Sequence, residues 1–506
     1  MTKALMIQGT GSGAGKSLVT AAFCRIFRDM GINVAPFKSQ NMALNSFITI
    51  EGGEIGRAQA LQAEAARVEP TVDMNPILLK VSGETGSQVI IHGKVHDTMR
   101  AQEYYAYRKE AWKAVKASYR RLSRKHDLIV IEGAGSPAEI NLMDVDIVNM
   151  AVAKHAQAPV ILIGDIDKGG VFASLYGTIK LLGRDSRYIK AFIINKFRGD
   201  IAILRPGLDM IGHKTGRPVI GILPYVHDIG LPEEDGLALY KNPRFKTQAP
   251  PGKSKPGAIK IVVARLKYIS NFTDFDPFIC EPDVELLYSS NPADIENADI
   301  VIIPGSKNTV KDLMSLREQG LDESIKRAYA KGIQIIGVCG GYQMLGKKLF
   351  DPNCVESSCK DIDGIGLLNV ETTFERTKTT CRVEAEMTQG KSGTEAPLKG
   401  YEIHMGETRG DTGLFRVKRT DDPHHVSSGT LDGSRNRNCW GTYIHGLFDN
   451  DLFRRDVLNN IREQKGLRSI DSSCSYSDLK EKALDNLARM VRENVDMDFV
   501  KREVKL

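Results

Sequence analysis

A chain of 506 residues exceeds what one hydrophobic core organises, so two domains of roughly 200 to 250 residues each are expected. With 42% hydrophobic and 26% charged residues it is not disordered or fibrous, and a net charge of +6 scattered among acidic residues gives no ground for expecting nucleic-acid binding. Eight irregularly spaced cysteines with no CxxC pair exclude a disulfide framework and a zinc ribbon; with no signal peptide and no membrane-length apolar run, a cytoplasmic protein acting on small molecules is expected.

The first apolar run, residues 4–8, is a short buried strand, and similar runs recur at 128–131, 160–163 and 191–194 with helical spacing between them. Continuous apolar strands joined by helices predict a mostly parallel, doubly wound α/β sheet for residues 1–240. Residues 241–257 are rich in Pro, Gly and Lys and read as an exposed linker. Strand-like runs at 259–264, 299–303 and 333–338 predict a second α/β domain over 258–455. In 456–506, Leu479, Ala483, Leu487 and Val491 form the apolar stripe of an amphipathic helix that packs onto one of the domains.

Between the first strand and a helical run lies Gly9-Thr10-Gly11-Ser12-Gly13-Ala14-Gly15-Lys16-Ser17. Glycines let backbone N–H groups curl around phosphate oxygens, Lys16 reaches the terminal phosphates and the Ser17 hydroxyl ligates Mg2+. Thr10 stands where the usual P-loop has glycine, with Gly9 one residue earlier. That extra residue resembles the P-loop of dethiobiotin synthetase. Glu132, ending the 128–131 strand, is the candidate carboxylate for the metal. Asn195 opens Asn195-Lys196-Phe197-Arg198, where a guanine-reading loop would need Asp at 198, so ATP rather than GTP is expected, with Asn195 as a nucleotide contact or a strand end.

Further on, residues 333–338 run into Cys339-Gly340-Gly341, a cysteine at a glycine-flanked strand-to-helix turn. Such an elbow exposes a nucleophile, lowers its pKa at a helix N-terminus and offers backbone N–H groups for an oxyanion hole. A cysteine alone is more often structural, but His445 ends another strand-like run about a hundred residues on, giving the thiol–imidazole pair of nucleophilic catalysis. Gly340 and a second glycine turn at Gly305-Ser306 are the oxyanion-hole candidates.

Together these motifs resemble the triad-type class I glutamine amidotransferases over roughly 259–450. One departure is Leu447, which stands two residues after His445 where that class carries the glutamate that orients the histidine, so the third triad member is expected to be missing. Longer strings, QNMALNS at 40–46, EIGRAQA at 54–60, IEGAGSPAEINL at 131–142, NFTDFDP at 271–277 and GYEIHMG at 400–406, resemble the corrinoid amidotransferases of cobalamin biosynthesis across nearly the whole chain.

That resemblance implies ATP- and glutamine-dependent amidation of the b, d, e and g carboxylates of a corrinoid a,c-diamide, with Mg2+ at the P-loop and Cys339 and His445 releasing ammonia. It also directs attention to Lys38, Gln40, Asn41 and Asn45 as a substrate or nucleotide loop. Glu402 and His404 are expected to be structural. Two rivals stand beside it: an enzyme forming the a,c-diamide one stage earlier, and a P-loop regulatory ATPase with an amidotransferase-like module.

Overall fold

The computed structural model describes residues 2–81, 86–226, 229–232, 257–388, 397–420, 429–471 and 475–506. The expected linker, except for Gly257, lies outside these. The first sheet is six-stranded and parallel throughout, in the spatial order Val219–Pro224, Ile189–Phe197, Val160–Asp165, Lys3–Gly9, Leu128–Glu132, Val34–Phe37. Its central strands bury every residue or nearly so, which is why they read as unbroken apolar runs rather than alternating ones. Helices cover both faces, and the carboxyl ends of Lys3–Gly9 and Leu128–Glu132 point toward one edge where the P-loop sits.

The second sheet has five parallel strands, Val284–Ser289, Ile259–Ala264, Ile300–Ile303, Gln334–Val338 and Cys439–Thr442, closed by antiparallel Ser434–Asn436. Besides the two-stranded pair Ser46–Ile48 and Glu54–Gly56, two larger sheets are not apparent from apolar runs. One is mostly antiparallel, with Lys348–Phe350 added in parallel, and is built on the long antiparallel pair Val370–Met387 and Leu398–Gly410. The other joins Gln40–Met42, Ile77–Val81, Gly86–Ile91 and Lys94–Arg100 beside the P-loop domain.

The amphipathic stripe near the C-terminus forms the helix Tyr476–Asn494, which lays Ala483, Leu487 and Val491 against the core of the first domain. Fully buried Arg25, on the helix Lys16–Asp29, pairs with Glu481 at 2.9 Å and Asp485 at 3.2 Å on it. By contrast the preceding helix, Asp451–Gln464, runs through position 455 and anchors to the second domain through Arg454–Glu281 and Arg462–Asp283. No described helix is long and apolar enough to cross a membrane.

Candidate active sites

Strand Gln334–Val338 delivers Cys339 at its carboxyl end, held between Ile300–Ile303 and Cys439–Thr442. Cys339 has φ 52° and ψ −109°, a conformation an L-residue adopts only when its surroundings impose it. Its N–H donates to Thr442 O at 2.8 Å, and the helix Gly340–Leu345 starts at once. The glycines around it are required by contact: a Cβ on Gly341 would lie 1.9 Å from Ile303 O, and one on Gly337 would lie 2.6 Å from Leu345. The turn at Gly305 closes the same space, since a Cβ there would be 3.3 Å from His445 Cε1 and one on Gly340 would be 2.9 Å from Ser306 N. Both oxyanion-hole candidates therefore border the space between nucleophile and histidine.

His445 is held by backbone pairing with Tyr401, N–H to O at 2.8 Å and the reverse at 3.1 Å, and the two rings stack with centroids 5.2 Å apart. Its Nδ1 lies 2.6 Å from Asp274 Oδ2, while Asp274 Oδ1 accepts from Gly446 N at 3.2 Å. This corrects the expectation of a missing third member: position 447 is leucine and buried, but a carboxylate 171 residues upstream takes the orienting role. With Nδ1 committed to Asp274, the histidine presents Nε2 to the Cys339 thiol. Burial alone would depress the imidazole pKa, but the charges of Asp274 and Cys339 outweigh it and raise it to about 10.

Glu402 and His404 are committed elsewhere. Glu402 accepts from Arg419 Nε at 2.9 Å, and His404 Nδ1 faces Gly406 O at 2.8 Å with its ring stacked on Tyr443 at 3.8 Å. Burial lowers the His404 pKa, so this imidazole is kept neutral.

At the other centre the glycines Gly13 and Gly15 have φ 72° and 98°, which turns the loop into the helix Lys16–Asp29. Lys16 Nζ donates to Gly11 O at 2.9 Å and Gly135 O at 3.1 Å, lying across the loop mouth. Ser17 Oγ donates to Glu132 Oε1 at 2.8 Å, so the two proposed metal ligands are adjacent oxygen donors, the hard set that suits Mg2+. Glu132 is buried and also receives Lys38 Nζ at 3.0 Å and Gln62 Nε2 at 2.6 Å. Asn195 Nδ2 donates to Ala14 O at 2.9 Å, placing this residue on the P-loop backbone, with Thr10 N bonded to Ile163 O at 2.9 Å at the loop's start.

Asp165, Lys168 and Lys196 also surround the loop and were not singled out in the sequence. Lys196 Nζ bonds Gly13 O at 2.7 Å and Asp165 at 2.8 Å, and Lys168 Nζ bonds Ser12 O at 3.1 Å. Their signal is position: Asp165 ends the strand beside the P-loop strand, and Lys196 lies near the carboxyl end of the next strand out.

The four residues of the expected substrate loop separate. Lys38 joins Glu132; Gln40 accepts from Tyr104 Oη at 2.5 Å; Asn41 donates to Gln59 at 2.9 Å. Asn45 reaches the other domain and accepts from Phe272 N at 3.3 Å, beside Ser46, whose N–H donates to Asn271 at 3.1 Å. The loop thus extends from the nucleotide centre to the segment that carries Asp274.

A thiol–imidazole–carboxylate line and a P-loop with an adjacent carboxylate, on separate sheets of one chain, define a glutamine-hydrolysing ligase. Residues 5–239 match the family described as the CobQ/CobB/MinD/ParA nucleotide binding domain, and residues 260–453 match the CobB/CobQ-like glutamine amidotransferase domain. The chain is 51% identical over 502 residues to the cobyric acid synthase of Thermodesulfovibrio yellowstonii, covering 99% of both chains. It is 48% identical over 510 residues to that of Thermoanaerobacter sp., covering 99% of this chain and 98% of that one, and 47% identical over 507 residues to that of Desulfitobacterium hafniense, covering 98% and 97%. The chain belongs to the cobyric acid synthase family, corrinoid-amidating enzymes of cobalamin biosynthesis.

Proposed function

We propose that this enzyme converts the b, d, e and g carboxylates of adenosylcobyrinic acid a,c-diamide to amides, consuming one ATP and one glutamine for each, to give adenosylcobyric acid. The observation that carries the reading is the pairing, in one chain, of an ammonia-releasing centre at Cys339 with a phosphate-binding centre at Lys16. The a,c-diamide-forming rival shares both centres, so choice of carboxylate is what separates the two.

At the first centre the Cys339 thiolate attacks the carboxamide carbon of glutamine, and Gly340 and Gly305 offer backbone N–H groups to the oxyanion. His445 gives its Nε2 proton to the departing nitrogen, so ammonia leaves and a thioester remains. Water, deprotonated by the same Nε2, then releases glutamate and restores the thiol. Asp274 holds the ring in place and stabilises its charged form throughout.

At the second centre a corrinoid carboxylate oxygen attacks the γ-phosphorus of ATP, ADP leaves, and an acyl phosphate forms. Ammonia adds to the acyl carbon, phosphate departs with the C–O electron pair, and a proton is released. Lys16 offsets charge on the transferred phosphoryl group. Mg2+ fits the Ser17 and Glu132 oxygens and would supply further neutralisation of phosphate charge there.

Two variants test the separation of roles. Cys339→Ser is expected to abolish amidation with glutamine but retain it with a high concentration of ammonium salt. Lys16→Ala is expected to lose amidation with either nitrogen source while keeping glutaminase activity. Equal loss of both activities in Cys339→Ser, or ammonia-dependent amidation at the wild-type rate in Lys16→Ala, would contradict the two-centre reading.

A further inference from the structure

A cavity of about 810 Å3 opens beside the P-loop, between the small sheet, the helix Ala101–Ser123 and the loop that follows Glu132. Alternation along the sheet decides its lining. Leu79, Val81, Ser87 and Val89 face the cavity, while Lys80 and Gln88, which are cross-strand partners, face away toward the second domain. One wall is apolar and solvent-facing: Met42 is 56% exposed and Tyr105 is 42% exposed. The opposite wall includes Gly135, whose carbonyl already receives the P-loop lysine at 3.1 Å, so a group in the cavity lies next to the terminal-phosphate position.

Into this cavity projects Arg108. Its Nε and Nη1 are buried and have no hydrogen-bond partner among the described residues; the guanidinium packs over the Tyr105 ring at 4.6 Å. The acidic side chain nearest in charge is Asp146, but its oxygens are taken by the backbone N–H groups of Val148, Asn149 and Ala151 at 2.8 Å each. Partial burial pulls the guanidinium pKa down and outweighs the opposing charge of Asp146. An unpartnered, planar, five-donor cation beside an apolar wall is matched by a ligand with an apolar body and carboxylates on its rim.

We infer that this cavity holds the acyl acceptor, with the face of the macrocycle against Met42, Met99 and Tyr105 and one rim carboxylate, other than the reacting one, on Arg108. The inference rests on the corrinoid reading given above and adds the place and the anchor. It has a consequence for turnover. A guanidinium bonds a carboxylate through two charge-assisted contacts and an amide through weaker neutral ones, so each amidation leaves fewer rim carboxylates able to serve as the anchor and loosens the hold on the ring.

The test is binding, without ATP or glutamine. Wild-type enzyme, Arg108→Gln and Arg108→Lys are titrated with cobyrinic acid a,c-diamide and with cobyric acid, followed by the corrin absorbance, with wild-type glutaminase activity as the control for folding. Wild type is expected to bind the diamide more tightly than cobyric acid. Arg108→Gln should weaken diamide binding by about 10-fold or more and cobyric acid binding by less, and Arg108→Lys should fall between. Wild-type diamide affinity in a folded Arg108→Gln would overturn the anchor and leave the proposed function standing. Failure of the wild-type enzyme to bind either corrinoid would overturn the function as well.

Discussion

Asp274 sets how long His445 stays protonated as pH rises. Its charge is a main reason the imidazole pKa stands near 10 rather than at the ordinary value, so the alkaline limit of glutaminase activity should lie well above neutrality. In Asp274→Asn the ring loses that charge, and the limit is expected to move to lower pH, with kcat reduced by about 10^2- to 10^4-fold, while ammonia-driven amidation is unchanged. A pH profile of glutamine hydrolysis reads this directly; an unshifted alkaline limb would make Asp274 a packing residue only. Cys339, His445, Lys16 and Ser17 were legible in the sequence because each sits at a strand end or at the helix start that follows one, inside a glycine pattern whose chemistry is local. Asp274 was not, because its partner is 171 residues away and no spacing rule connects the 3-10 helix Phe272–Cys280 to the turn that carries His445. The contact of Asn45 was not legible for the same reason: its hydrogen bond crosses to Phe272 in the other domain.

The central strands of the two parallel sheets were readable because burial on both faces forces continuous apolar runs, and Ile259–Ala264 lies where the pattern places it, whereas the outer strands Val34–Phe37, Val219–Pro224 and Val284–Ser289 were missed. The strand Val370–Met387 was not, because exposed Glu371, Glu375 and Arg376 interrupt its apolar positions and make it read as surface. That strand nevertheless carries Lys378 into a buried cluster at the seam. Lys378 Nζ lies 2.5 Å from Glu54 Oε2, Lys80 Nζ lies 2.7 Å from Glu54 Oε1, and Ser46 Oγ donates to the same Oε1 at 2.7 Å. Burial lowers the Lys378 pKa to about 7, and the two lysines hold Glu54 well below the usual carboxylate range. Ser46 continues the line through Asn271 to Tyr401 Oη, 3.0 Å away, and so to the ring stacked on His445. Glu54→Gln leaves buried cations short of a counter-charge, a loss of about 3 to 5 kcal/mol. It is expected to lower the melting temperature and to raise glutamate released per amide formed, since the elements that align the two centres shift. A ratio that stays at the wild-type value despite lost stability would confine the cluster to holding the domains together.

Across the whole chain, the first domain is completed by sequence from both ends: the helix Tyr476–Asn494 returns to pack against Lys16–Asp29, and Asp496 N donates to Ile220 O at 2.7 Å beyond it. The second domain lies between, and the loop around Asn45 and Ser46, which leads from the phosphate centre, meets it at the segment that carries Asp274. Such an arrangement suits an enzyme that must move an uncharged nitrogen from one site to the other. The most direct measurement is mass spectrometry of cobyrinic acid a,c-diamide incubated with the enzyme, ATP and glutamine labelled with 15N in the side-chain amide. The expected result is a ladder of products, each step replacing one acid by one labelled amide, ending when the b, d, e and g groups are amides. A diamide left unchanged while cobyrinic acid itself gains amides at a and c would contradict it.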